Sequence, residues 1–232
     1  MTDAHSEVLA GALEANVARV LASLKENRYG DEPPARLVAV TKTVSPDVIN
    51  ALRPLGVLDI GENRAQVALP KLPQIAPEFR LHWIGRLQTN KVKGIIDHVY
   101  LLHTLDREAL AQEVERRAGE RGIQMPSLVQ VNIAREPQKG GMPPEDVLPF
   151  LRRMRDFPNI RVQGLMSIMP LDAAPEELNA LFAGMRELFE RVRQEAICGV
   201  EMRELSMGMS HDYALAARNG ATMVRVGTAL FQ

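Results

Sequence analysis

What most narrows the fold is an unbroken alternation of short β-type runs with longer helical patterns. Runs rich in branched and apolar residues fall at 37–43, 57–60, 81–84, 99–102, 127–133, 162–168, 204–207 and 222–226, each followed by a polar or glycine-bearing loop. Helical patterns lie near 46–53, 65–75, 89–96, 107–121, 145–155, 175–196 and 211–219. Strict alternation implies right-handed crossovers and a parallel sheet, and eight repeats in 232 residues fit a closed (β/α)8 barrel of the TIM type better than an open sheet. An open doubly wound sheet is the competing architecture, because alternation alone does not separate the two.

Ahead of the first strand, Val8, Leu9, Ala12, Leu13, Val17, Val20, Leu21 and Leu24 recur at helical spacing, predicting one amphipathic helix over about 4–27. The expected chain is thus a single domain over 1–232 that begins with a helix and ends on strand eight. The first helix would take the place of the missing last outer helix. The turn cluster of Pro137, Gly140, Gly141, Pro143 and Pro144 reads as a loop at the barrel rim, since the strand and helix spacing continues on both sides of it.

Composition excludes several classes. With 46% hydrophobic and 25% charged residues the chain can bury one substantial core. A formal net charge of −1 from 28 basic and 29 acidic residues gives no footprint for a phosphate backbone, so no nucleic-acid partner is expected. The first residues lack an apolar core of the kind a secretory signal has, and no segment approaches a membrane span, so a cytoplasmic protein with no membrane partner is expected. Cys198 is the only cysteine, which rules out an intrachain disulfide and reads as a small buried or half-buried side chain. No large apolar stripe is left over beyond what the barrel consumes, and a monomer is the expectation.

In such a barrel the working groups lie at the carboxyl ends of strands, with phosphates held after strands seven and eight. Lys42 sits where the first strand ends, and Ser45-Pro46 next to it is a helix opening, serine as N-cap and proline at the first helical position. Between apolar walls an ammonium is penalised by desolvation, so the pKa falls and the amine can condense with an aldehyde. The plainer reading is a lysine that snorkels to solvent. After strand seven come Ser206-Met207-Gly208-Met209-Ser210, and strand eight ends Arg225-Val226-Gly227-Thr228; both supply hydroxyls and close backbone N–H groups for an anion. Serine and glycine at such turns also serve only as caps. Arg225 faces away from Val224 and Val226, toward either an ion pair at the helix layer or a ligand inside the barrel top.

Other chemistries find no support. There is no Walker A loop, no G-x-G-x-x-G and no H-E-x-x-H, and the five histidines lack metal-ligand spacing. His82, before Trp83 in an apolar strand, reads as a buried, hydrogen-bonded side chain. Arg152, Arg153 and Arg155 read as a solvated helix face.

The blocks Ala39-Val40-Thr41-Lys42, Gly61-Glu62-Asn63, His82 through Lys91 (HWIGRLQTNK), Gln130-Val131-Asn132, Gly164-Leu165-Met166, Leu205 through Ser210 (LSMGMS) and Val224 through Phe231 (VRVGTALF) resemble the pyridoxal 5′-phosphate (PLP) homeostasis proteins, the YggS/PROSC family, in order and over nearly the whole chain. The resemblance implies a fold-type III barrel like the N-terminal domain of bacterial alanine racemase, with PLP as a Schiff base on Lys42. It implies that Ser210, Gly227 and Thr228 bind the phosphate, that Arg225 meets the pyridine nitrogen or the phosphate, and that Asn63, Met166 and Ser206 line the cofactor. Lys139 matches a rim-loop lysine that helps pass cofactor in or out. The family often has a second lysine just after the first; here Val44 takes that region. The chain ends Phe231-Gln232 where members commonly end Phe-Gly.

The resemblance also implies a function: PLP homeostasis, with the cofactor held reversibly and supplied to PLP-dependent apoenzymes, without turnover. A low-activity PLP-dependent amino-acid racemase is the alternative. Racemisation needs proton donors on both faces of the cofactor, and related racemases take the second from an additional domain that a chain of this length is expected to lack. An arginine at the ring nitrogen also weakens the ring as an electron sink. A third reading is a sugar-phosphate barrel in which Lys42 is only a charge.

Overall fold

The computed structural model describes residues 3–232, with side chains from Gly11 onward. Among the described residues, eight parallel strands close in sequence order into a barrel: β1 (Arg36–Val40), β2 (Asp59–Glu62), β3 (Arg80–Trp83), β4 (Val99–Leu105), β5 (Met125–Val131), β6 (Ile160–Ser167), β7 (Val200–Ser206) and β8 (Met223–Val226). β8 pairs back onto β1, with Ala39 beside Val226. The open doubly wound alternative is thereby excluded.

Outside the strands run α1 (Asp3–Glu26), α2 (Pro46–Asn50), α3 (Ala65–Ala68), α4 (Val92–Ile95), α5 (Glu108–Gly119), α6 (Pro144–Arg152), α7 (Pro175–Gln194), α8 (Tyr213–Arg218) and α9 (Thr228–Phe231). The helices expected at 46–53 and 65–75 are broken into a short α-turn and a 3-10 turn, because Pro54, Pro70 and Pro73 remove the donors that would continue them. α9 is a single turn after β8, the last element of the chain.

α1 lies against this end of the barrel, as the missing-helix expectation required: Asn16 Nδ2 donates to the Leu230 carbonyl at 3.0 Å and Arg19 to that of Ala229 at 3.1 Å. Its buried stripe is narrower than the sequence pattern. Leu13, Val17, Val20 and Leu24 are buried, whereas Ala12 and Leu21 are exposed, because a straight helix on a curved surface covers only one row. Val8 and Leu9 lie outside the residues whose side chains are described. Cys198, expected to be buried or half-buried, is exposed: it sits in the turn after α7, where Ala196 and Gly199 take positive φ of 45° and 81° and swing the chain outward. Arg152, Arg153 and Arg155 are exposed and paired with Glu195, Glu108 and Asp156.

Alternation along the strands divides the core in two. Leu37, Ala39, Leu81, Trp83, Leu205, Val224 and Val226 face the helices in one large apolar cluster. Val38, Leu101, Leu128, Met166 and Met223 form a separate cluster inside the barrel, each buried aliphatic side chain contributing roughly 1.5–3 kcal/mol. The same inner face carries Asp59, His82, His103, Ser206 and Arg225, all buried. This polar half is where the fold meets the site.

Candidate functional site

β1 stops at Val40, three residues before the end of the expected run. Thr41 N–H still donates to the Gly61 carbonyl at 3.0 Å, but Val44 N–H turns back onto the Thr41 carbonyl at 3.2 Å and the chain leaves the sheet. Ser45 accepts from the Val48 N–H at 3.5 Å and opens α2, as its pairing with Pro46 predicted. The turn places Lys42 at the carboxyl end of the barrel and exposes it. The expectation of an amine shut between apolar walls is therefore corrected: Lys42 lies in a turn, not in the strand, and water reaches it. What is buried is the residue before it. Glu62 accepts from Thr41 Oγ1 at 2.9 Å and from Lys71 Nζ at 3.0 Å, and Lys71 Nζ also donates to the Thr41 carbonyl at 2.8 Å. This buried tether fixes the base of the turn that carries Lys42.

The other end of the site is built on β7 and β8. Gly208 takes φ +93° with its Cα packed so closely on α8 that a Cβ there would meet Ala216 Cβ at 2.5 Å; only glycine permits this loop. Past it, Ser210 Oγ accepts from the N–H groups of Gly227 and Ala229, both at 3.2 Å. A Cβ on Gly227 would meet Val40 Cβ at 3.2 Å, so the glycine lets the end of β8 lie directly on the end of β1. Ser210 and Gly227 are half-buried and Thr228, the first residue of α9, is exposed.

Arg225 is inside the barrel and only 3% exposed, which decides between the two readings of its side chain. Nη1 donates to Ser206 Oγ at 2.6 Å and Nη2 to the Ser167 carbonyl at 2.8 Å, level with the carboxyl ends of β6 and β7. Burial pushes the guanidinium down to about 10, partly opposed by the Asp212 carboxylate, and leaves it charged at neutral pH. Ser206 is fully buried, so its hydroxyl serves Arg225 and His103 rather than an anion at the rim. Met166 is fully buried in the inner apolar cluster, and β6–β7 pairing sets it beside Ser206. Asn63 is half-buried just past β2. Lys139 is half-buried in the rim loop and paired with Glu136.

His82 is buried and bonded on both ring nitrogens, as its apolar setting suggested: Nδ1 to His103 Nε2 at 2.8 Å and Nε2 to Asp59 Oδ1 at 2.8 Å. Sequence reasoning missed Asp59 and His103 as members of this group. Their signal was parity: each is polar at a position where strand alternation points inward. Among the described residues no group of histidine, cysteine, aspartate or glutamate could hold a metal ion.

A relative from Aquifex aeolicus named pyridoxal phosphate homeostasis protein is 41% identical over 198 residues, covering 85% of this chain and 86% of its own. The chain belongs to the pyridoxal phosphate homeostasis family. A Pseudomonas aeruginosa family member is 35% identical over 223 residues, 93% of each chain. The profile described as "Alanine racemase, N-terminal domain" matches residues 8–232. Among solved structures, PipY of Synechococcus elongatus with PLP bound superposes at a TM-score of 0.82 with 35% identity, covering 93% of this chain and all of PipY. An alanine racemase from Bartonella henselae shares the fold at a TM-score of 0.74 with 14% identity, over 95% of this chain and 58% of the racemase. PipY thus shares the overall fold described here.

Proposed function

We propose that this chain binds PLP through Lys42 and the Ser210–Gly227–Thr228 cradle and holds it reversibly for supply to apoenzymes. PLP brings an aldehyde that condenses with a primary amine and a phosphate that needs several donors. The residues fit both demands. The close approach of Gly227 to Val40, where an added Cβ would meet Val40 Cβ at 3.2 Å, carries the reading, because it sets the backbone donors of the cradle beside the strand end that presents Lys42.

Lys42 supplies the amine, and its exposure suits a carrier, whose cargo must enter and leave from solvent. The Thr41–Glu62–Lys71 tether keeps the turn under it fixed. Gly227 N–H, Ser210 Oγ and Thr228 Oγ1 face the phosphate, Ser210 being the hydroxyl that now caps the Gly227 and Ala229 N–H groups. Arg225, charged and sealed against Ser206 and the Ser167 carbonyl, presents a donor and resists protonation of a ring nitrogen set against it. Asn63 closes the side toward β2, Met166 supplies the apolar floor, and Lys139 stands at the rim where cargo passes. The barrel acts as one domain and as a monomer.

The names of the relatives support a homeostatic role over a racemase. Two measurements test the reading. Purified protein incubated with PLP, reduced with borohydride and weighed intact gains one cofactor, located on Lys42 by peptide mapping; a wild-type mass without the addition overturns it. Incubation with L-amino acids leaves their chirality unchanged, whereas sustained turnover returns the racemase.

A further inference from the structure

Five polar residues cross the barrel interior in one line of hydrogen bonds, and the proposed site accounts only for the end at Arg225. Arg225 Nη1 is 2.6 Å from Ser206 Oγ, which is 3.0 Å from His103 Nδ1; His103 Nε2 is 2.8 Å from His82 Nδ1, and His82 Nε2 is 2.8 Å from Asp59 Oδ1. Asp59 Oδ2 accepts from Arg80 at 2.7 Å. Asp59 is the first residue of β2, at the end of the barrel remote from Lys42. Every member between Arg225 and Asp59 is fully buried.

The ends fix the direction of every proton between them. Arg225 can only donate, so Ser206 Oγ accepts from it and turns its own hydrogen to His103 Nδ1. His103 must then carry its proton on Nε2 and give it to His82 Nδ1, and His82 must carry its proton on Nε2 and give it to Asp59. All donors and acceptors are satisfied by one arrangement: two neutral histidines as Nε2–H tautomers, a cation at one end and a carboxylate at the other. The reverse arrangement needs a protonated Asp59 beside the Arg80 guanidinium and leaves the Ser206 hydroxyl pointing at a group that cannot accept. A buried chain with a single solution is rigid, since any local slip strands a polar group away from water.

We infer that Asp59, His82 and His103 are positioning residues that hold Arg225 in one orientation against the bound cofactor, acting from the opposite end of the barrel. The inference rests on the PLP reading for what Arg225 faces, while the chain itself stands without it. Replacing the carboxylate by an amide removes the anion that orders the line. Asparagine can donate as well as accept, so both tautomers become possible and Arg225 loses its fixed hydrogen-bond partner.

The experiment has two arms. In cofactor-free protein at neutral pH, long-range proton–nitrogen NMR shows His82 and His103 each as a neutral Nε2–H ring, assigned by loss of one signal in His82→Asn and in His103→Gln; an Nδ1–H ring at either site overturns the inference whatever PLP does. In protein loaded with PLP, Asp59→Asn shifts the absorption band of the bound cofactor and speeds its release about tenfold. Ser206→Ala does the same and Ser206→Thr, which keeps the hydroxyl, restores wild-type behaviour. If Asp59→Asn does not fold, the Ser206 pair decides the second arm. Variants that lower the melting temperature while leaving both the band and the release rate within about twofold of wild type reduce the chain to a structural role and overturn the inference. A wild-type protein that takes up no PLP refutes the carrier reading instead, and leaves the NMR arm to decide whether the chain exists.

Discussion

Lys42 and Arg225 serve one proposed site on opposite terms. Lys42 is exposed on a turn that has already left the sheet, whereas Arg225 is sealed inside the barrel with both terminal nitrogens bonded to protein. The exposed group holds few native contacts and is free to react, so its replacement touches function with little effect on folding. The sealed group is part of the core, so changes around it alter packing and function together. The site is thus a reactive rim set on a rigid base, and each prediction below pulls on one of the two.

The largest effect is expected at the rim. Lys42→Ala removes the borohydride-fixed adduct entirely, while an exposed turn substitution changes stability by no more than about 0.5 kcal/mol, or roughly 1–2 °C in Tm. A drop of many degrees would show that Lys42 is part of the base after all. Next is the apolar half of the interior. Leu128 is fully buried, so Leu128→Ala costs about 3 kcal/mol and roughly 6–12 °C, measured by urea or thermal unfolding. The variant still gains the cofactor mass at temperatures where it is folded, because Leu128 lies below the reactive turn.

The polar half answers to pH instead. Burial and the adjoining His82 ring, reinforced by the positive charges of Arg225 and Arg36, hold His103 well below its ordinary 6.5. The unfolded chain therefore binds a proton below pH 6.5 that the folded chain refuses, so His103 contributes stability above that value and the contribution is lost as pH falls toward the folded pKa. The slope approaches about 1.4 kcal/mol per pH unit. Asp59 has a separate window: burial raises its pKa, but the His82 hydrogen bond and the charges of Arg80 and Arg36 outweigh it and hold the carboxyl below 3.8, so its contribution persists until far more acidic conditions. Urea midpoints of wild type fall between neutral pH and pH 5, and in His103→Gln that fall is shallower by about one proton's worth. Equal slopes in both proteins would mean that the folded state accepts the proton at His103.

How much of this was legible in the sequence follows from the range of the forces involved. Alternation with period two and 3.6 is local, so all eight strands and the closing role of α1 could be read directly, and parity already turned Arg225 away from its two valines. Prolines at 54, 70 and 73 carried the broken helices, though their effect on helix length needs the register of each turn. Lys42 was misjudged because burial of a strand end depends on where the next turn folds back, here the Val44-to-Thr41 bond, which no composition of residues 37–43 reveals. Ser206 reads as one of two hydroxyls in a rim loop, yet the two have different surroundings: Ser206 ends β7 fully buried on Arg225, and Ser210 lies half-buried past the glycine turn on the Gly227 and Ala229 N–H groups. The line from Asp59 to Arg225 joins residues on five different strands, with 20 or more positions between neighbours on three of its four bonds, and only barrel closure brings them together.

The smallest effect is expected where rim and base meet, and it sharpens the boundary between them. Thr228 is exposed at the start of α9, next to the glycine that packs on β1, and Thr228→Val keeps its shape while removing one hydroxyl. A single solvent-exposed hydrogen bond contributes about 0.5–1.5 kcal/mol, so release of PLP should quicken by roughly two- to tenfold, read by stopped-flow transfer to a scavenging amine, with Tm unchanged. Gly227 offers no side chain to delete, so the comparison with Thr228→Val divides the grip on the phosphate between backbone and hydroxyl. Unchanged release would assign it to the Gly227 N–H and Ser210, and would place Thr228 with the rim loops that cargo passes rather than with the cradle that holds it.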